Sequence, residues 1–151
     1  MSSRTKKIVA VVAVVAVVAV AVVVFVSSRS GAGDLPIFGG AITVNGCTIS
    51  RGCNCQGADL SGKGLAGLTW TNCNLSNVNF TGTNVGQGKM GGVNLTGITG
   101  VNTSFAATDL SNANFTNANL TGAILTNATL NGTIFCNTTM PDGSINNANC
   151  K

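Results

Sequence analysis

ANFTNANLTG, residues 113–122, is one five-residue phrase said twice. Outward from it the same step holds in both directions. Leu60, Leu65, Trp70, Leu75, Phe80, Val85, Met90, Leu95, Gly100, Phe105, Leu110, Phe115, Leu120, Leu125, Leu130, Phe135 and Met140 are five apart, and sixteen of these seventeen are large and apolar. Two residues before each centre stand small or apolar side chains, such as Cys73, Val78, Ala113 and Ala118. The other three positions are mostly Asn, Thr, Ser and Gly. Neither regular element has this period, since helices repeat apolar positions near 3.6 and strands at 2. A short extended piece that buries alternate side chains, followed by a corner, does have it. Asn and Gly suit such corners because they tolerate left-handed backbone conformations. A chain that turns every five residues winds into a coil, and its coils must stack to pair their backbone groups.

These units resemble the pentapeptide-repeat family, whose motif is A(D/N)Lxx. The motif stands here as ADLSG at 58–62, ANFTN at 113–117 and ANLTG at 118–122, with degenerate copies such as CNLSN, VNFTG and VNLTG between. The resemblance implies an all-β fold, a right-handed quadrilateral parallel β-helix of about four coils, twenty residues to a coil. It also implies that the centre and the residue two before it point inward. At that spacing Phe80, Gly100 and Leu120 share a column, and Ile98 stands beside the small Gly100. Bulk lost at one interior site is thus partly restored next to it, as close packing requires. Lys63 departs from the pattern at an inward position in the first coil. A long stem there can carry its charge out past the open end.

Before the repeats, residues 8–26 read IVAVVAVVAVVAVAVVVFV, nineteen apolar residues without a break. As a helix this spans about 28 Å, close to a hydrocarbon core of about 30 Å. The expected organisation is a basic cytoplasmic flank at 1–7, a transmembrane anchor or signal segment at 8–26 and a linker at 27–36. An N-terminal Cys-rich cap at 37–57, the β-helix at 58–142 and a C-terminal cap at 143–151 follow. Three bases, Arg4, Lys6 and Lys7, precede the apolar run and Arg29 follows it, which predicts a cytoplasmic N-terminus and an extracytoplasmic repeat domain. The run is long for a cleaved signal peptide, and secretion after cleavage is the alternative.

Six cysteines, an even count, favour disulfides outside the cytoplasm. Cys136 and Cys150 bracket Pro-Asp-Gly-Ser and are expected to pair. Cys47, Cys53, Cys55 and Cys73 allow three pairings. Their spacing matches a zinc site poorly, and no metal or cofactor is expected.

The chain has no His, Tyr or Glu, and from Gly31 onward four bases oppose four Asp. A basic stripe for nucleic acid is therefore missing, and no catalytic residue is predicted. Asp59 and Asp109 occupy the ordinary outward motif position, and neither a nucleophile elbow with partners nor a phosphate loop occurs. Nine Asn-x-Ser/Thr sequons, at Asn74, Asn79, Asn94, Asn102, Asn114, Asn119, Asn127, Asn131 and Asn137, follow from the repeat itself. The expected role is a non-enzymatic structural or interaction module on a membrane anchor, with a protein or glycan partner or an end-to-end second copy. The alternative is ice- or carbohydrate-surface binding. Ser76, Thr96 and Thr116 stack on one face and Thr81 with Thr121 on another, although Val101 and Ala106 interrupt the rows.

Overall fold

The computed structural model describes residues 42–150. The basic flank, the apolar run at 8–26, the linker and residues 37–41 of the N-terminal cap lie outside the described residues. Among the described residues no helix is long and apolar enough to cross a membrane.

The coil is set by fourteen parallel pairings, each joining residue i to i+20, from Asn54↔Asn74 to Asn119↔Thr139. Four pairings fall in every twenty residues, so the coil has four sides. Side 1 is centred on Cys55, Leu75, Leu95, Phe115 and Phe135, and side 2 on Leu60, Phe80, Gly100, Leu120 and Met140. Side 3 is centred on Leu65, Val85, Phe105 and Leu125, and side 4 on Trp70, Met90, Leu110 and Leu130. The pairing starts at Asn54, one unit ahead of Ala58.

One unit shows why five residues suffice. Val93 N–H donates to the Met90 carbonyl at 3.4 Å and closes the corner. Asn94 N–H reaches back to Cys73 at 2.9 Å, while Leu95 and Gly97 reach forward to Asn114 and Thr116 at 2.8 and 2.9 Å. The remaining amide, on Thr96, donates to the Asn94 side chain at 3.1 Å. Every backbone donor of the unit is satisfied, one of them by the Asn that the motif specifies.

Inside, the aromatic centres pack edge to face, Trp70 on Phe80 at 6.2 Å and Phe105 on Phe115 at 5.7 Å, and Phe115 stacks on Phe135 at 5.6 Å. Gly100 is buried where Leu120 and Ile98 fill its side-chain space. A Cβ there would lie 2.9 Å from Leu120 Cδ2 and 3.4 Å from Ile98 Cδ1. Five inward threonines are also buried, and each hydroxyl finds a carbonyl 23 residues earlier. Thr83 bonds Leu60 at 2.7 Å and Thr103 bonds Phe80 at 2.6 Å. Thr108, Thr133 and Thr138 repeat the contact with Val85, Leu110 and Phe115. Lys63 is exposed in the first coil.

Both ends carry hairpins. β1 (Ile42–Val44) pairs antiparallel with β2 (Cys47–Ile49) through Asn45-Gly46, whose φ values of +48° and +79° suit a two-residue hairpin turn. The Asn45 amide donates to the Asp59 carbonyl at 2.7 Å and ties the hairpin to the first coil. At the far end β3 (Thr138–Thr139) pairs with β4 (Ile145–Asn146), so the chain doubles back over sides 1 and 2.

Sides 3 and 4 of the last coil have nothing stacked on them among the described residues. This corrects the expectation that all sixteen large centres are interior. Leu130 is 37% exposed and Leu125 half-buried, because no coil stacks on them among the described residues. Met140 is half-buried for the same reason, at the rim of the hairpin.

The last residue of each unit from Gly52 to Asn137 is left-handed. Most are Gly or Asn, but Ala107 has φ +54° and Gln87 φ +59°. An L-residue with a Cβ costs about 1–2 kcal/mol there, and Gly gives back about 0.5–1 in unfolded-state freedom. Ala107→Gly is therefore expected to stabilise the protein by about 0.5–1 kcal/mol, seen as a rise of a few degrees in Tm by calorimetry.

Candidate functional site

The surface available for recognition is the set of outward positions flanking each centre. On side 1, Asn54, Asn74, Asn94 and Asn114 stand in one column. Asn74 Nδ2 donates to Asn54 Oδ1 at 3.1 Å, and Asn94 Nδ2 to Asn74 Oδ1 at 3.2 Å. Each Oδ1 from Asn74 onward also accepts the amide two residues later, on Ser76, Thr96 and Thr116. The Thr116 hydroxyl donates to Asn114 Oδ1 at 2.6 Å. Side 2 repeats the scheme with Asp59, Asn79 and Asn119, where the Thr81 and Thr121 hydroxyls each reach the preceding Asn at 2.7 Å. These threonines spend their hydrogens within their own turn and offer lone pairs outward.

Side 3 is lined mostly by small residues, Gly64, Ala66, Gly86, Ser104 and Ala106, with Asn84 between them, and its last coil carries Ile124, which is 50% exposed. Side 4 carries Lys89 and Asp109 in adjacent coils. Among the described residues, three bases and three Asp leave no net charge.

The carboxylates serve the backbone. The Ser61 hydroxyl and amide, with the Asn79 amide, hold Asp59 below the ordinary carboxylate range. Ser111 does the same for Asp109 and Ser144 for Asp142. A lowered folded-state pKa stabilises above the ordinary value of 3.8, and that contribution fades as pH falls through the folded pKa. The contribution is small because Asp109 is exposed. Asp109→Asn keeps the acceptor for Ser111 and removes the titration. Its Tm is expected to fall less than that of the parent between about pH 5 and about pH 2.

The cysteines are all bridged. Cys47 joins Cys55 and Cys53 joins Cys73, with Cα separations of 5.0 and 4.5 Å, which selects one of the three N-terminal pairings. Cys53–Cys73 links adjacent coils. Cys136 joins Cys150 with a Cα separation of 4.8 Å and pins the returning segment to side 1. Among the described residues no group of three His, Cys, Asp or Glu is placed to hold a metal ion.

Sequence reasoning missed a feature at the corners. Down one edge Asn72, Gly92, Asn112 and Gly132 alternate, and on another Gly57, Asn77, Gly97 and Asn117. The Asn amide of one coil occupies the place a Cβ would take on the glycine of the next, as Asn72 does over Gly92 and Asn77 over Gly97. The alternation is visible in the sequence at a spacing of twenty.

Eight copies of the family model for pentapeptide repeats match, over residues 65–97 and 101–140. The chain belongs to the pentapeptide-repeat family. Among solved structures it is similar to HetL, a pentapeptide repeat protein involved in heterocyst differentiation regulation from the cyanobacterium Nostoc sp. strain PCC 7120. The identity is 27% and the TM-score 0.60, over 62% of this chain and 43% of HetL, so this chain spans less than half of that protein. A pentapeptide repeat protein of the Arabidopsis thaliana thylakoid lumen matches at 24% identity and TM-score 0.39, over 72% of this chain and 77% of that one. QnrB1, a plasmid-mediated fluoroquinolone resistance protein, matches at 16% and 0.42, over 60% and 59%. No curated protein matches in sequence. The pentapeptide-repeat coil is right-handed, and its members are generally non-enzymatic structural or interaction modules.

Proposed function

We propose that this pentapeptide-repeat protein is a non-enzymatic interaction module, displayed outside the cytoplasm on an N-terminal membrane anchor. The observation that carries the reading is the pair of sides 1 and 2. They are flat polar ladders, with Asp59 as their one charged member among the described residues, whose Asn side chains are fixed by hydrogen bonds along and across the coils. Side chains already held in place lose little entropy on contact, which suits broad, weakly polar recognition of a protein or glycan. Location outside the cytoplasm is supported by the three disulfides and by the basic flank before the apolar run. An exposed position such as Thr99, changed to Cys, is expected to react with a membrane-impermeant maleimide in intact cells. Protection until lysis would overturn the topology.

A second reading is binding to an ice or carbohydrate surface, favoured by the in-register Asn column with Thr96 and Thr116 beside it, although Ser76 in the same row is buried. Thermal hysteresis, or retention on an insoluble polysaccharide, distinguishes it from the first.

A further inference from the structure

The three disulfides differ in what they hold and in how they can be reached. Cys47, Cys53, Cys55 and Cys73 are 2%, 7%, 4% and 1% exposed and form part of the core at the N-terminal end. Cys150 is exposed and Cys136 half-buried. Phe135 and Asn149, each next to one of these two cysteines, line an open hollow of about 550 Å³ together with Leu130, Gly132, Thr133 and Ile134.

The segment this outer bridge holds has little else to keep it in place. Its one large apolar residue, Ile145, is 55% exposed, and Asn147, Ala148 and Asn149 are exposed as well. It is attached by the two residue pairs of β3 and β4 and by a few further hydrogen bonds. Met140 N–H donates to Ser144 O at 2.7 Å, Asn149 N–H to Phe135 O at 3.2 Å and Asn137 N–H to Asn147 Oδ1 at 2.8 Å. Hydrogen bonds that water can replace contribute little net, and ordering a segment of this length costs more. The covalent bond therefore decides whether the segment stays down. Beneath it lie Phe135 and the backbone edge of sides 1 and 2. Beside it sides 3 and 4 are already open, and the amides of Leu125, Asn127 and Leu130 have no partner in a following coil among the described residues.

We propose that Cys136–Cys150 is a redox latch, opened by a dithiol reductant of the thioredoxin class, which turns a half-covered coil end into one open on all four sides. A reductant thiolate attacks the exposed Cys150 sulfur, forms a mixed disulfide and expels the Cys136 thiolate, which takes up a proton. The second reductant thiol then displaces Cys150 as a thiol. The protein disulfide gains two electrons and two protons, and the dithiol becomes a disulfide. Residues 142–150 are then released, and Phe135, Met140 and the coil edge beneath them are uncovered.

The test uses the full-length protein in detergent micelles, without denaturant, with dithiothreitol as the dithiol. Samples are quenched with N-ethylmaleimide at intervals and mapped by mass spectrometry. Cys136 and Cys150 are expected to be labelled at least tenfold faster than the other four. In the selectively reduced protein, hydrogen exchange at Asn137, Met140, Gly143 and Asn149 is expected to speed at least tenfold, with Leu95 and Leu110 unchanged. Equal labelling of all six cysteines, or unchanged protection of those four amides after the bond is cut, would overturn the latch. A Cys136→Ser, Cys150→Ser double variant is expected to show the fast exchange without reductant, and slow exchange in it would also overturn the proposal.

Discussion

Leu110→Asp is expected to unfold or misassemble the rod, while Asn112→Asp, two residues away, changes stability by no more than about 0.5 kcal/mol. Leu110 is fully buried between the coils of side 4, under an amide that bonds to Thr129 at 2.9 Å. A carboxylate there meets no charge partner and no water. The cost of the unpaired polar group adds to the lost burial of a leucine, and the sum exceeds about 4 kcal/mol. Asn112 is an exposed corner residue at φ +57°, a conformation that Asp also tolerates. Ser111 between them is half-buried, although the five-residue register alone makes it an outward position. Urea titrations of the two variants check the contrast, and equal midpoints would mean that the register is wrong.

Gly122→Ala is expected to cost about 1–2 kcal/mol. Gly122 is left-handed at φ +68°, and the place of its Cβ is taken by the Asn102 amide oxygen from the coil before. Part of the cost is the left-handed backbone, about 0.5–1 kcal/mol once glycine's greater unfolded-state freedom is counted, and the rest is displacement of the exposed Asn102 side chain. The two parts separate in a double-mutant cycle. Asn102→Gly alone is expected to be mild, and Asn102→Gly with Gly122→Ala is expected to recover the displacement part. Strict additivity of the two changes, read from denaturation midpoints, would show that the corner side chains do not interlock.

How much of this was legible follows from how far apart the interacting residues are. The register of Leu60 to Met140 and the inward facing of Ala113 and Ala118 could be read from the sequence, because a five-residue period constrains each unit locally. The filling of Gly100 by Ile98 was also readable, once a twenty-residue coil was granted, whereas the closer approach of Leu120 was not. The carbonyl partners of the buried threonines were not, since each lies 23 residues earlier and its geometry depends on how the coils stack. The exposure of Leu130 was missed for another reason. The pattern at 128–132 looks like any other unit, and only the path of residues 141–150 decides which sides of the last coil are covered. The pairing of Cys53 with Cys73 is a contact between coils that four cysteines in sequence leave undecided. The surface, by contrast, is as plain in three dimensions as in one. Its Asn, Thr and Asp side chains bind their own backbone, so the sides offer a regular polar relief for contact.

The central claim is that twenty residues make one turn of a four-sided coil. Trans-hydrogen-bond scalar couplings measured by NMR on the labelled protein in micelles test it most directly. The Leu95 amide nitrogen should couple to the Asn114 carbonyl carbon and the Phe105 amide nitrogen to that of Ile124, each nineteen residues ahead. Couplings from these amides to carbonyls at any other separation would contradict the coil.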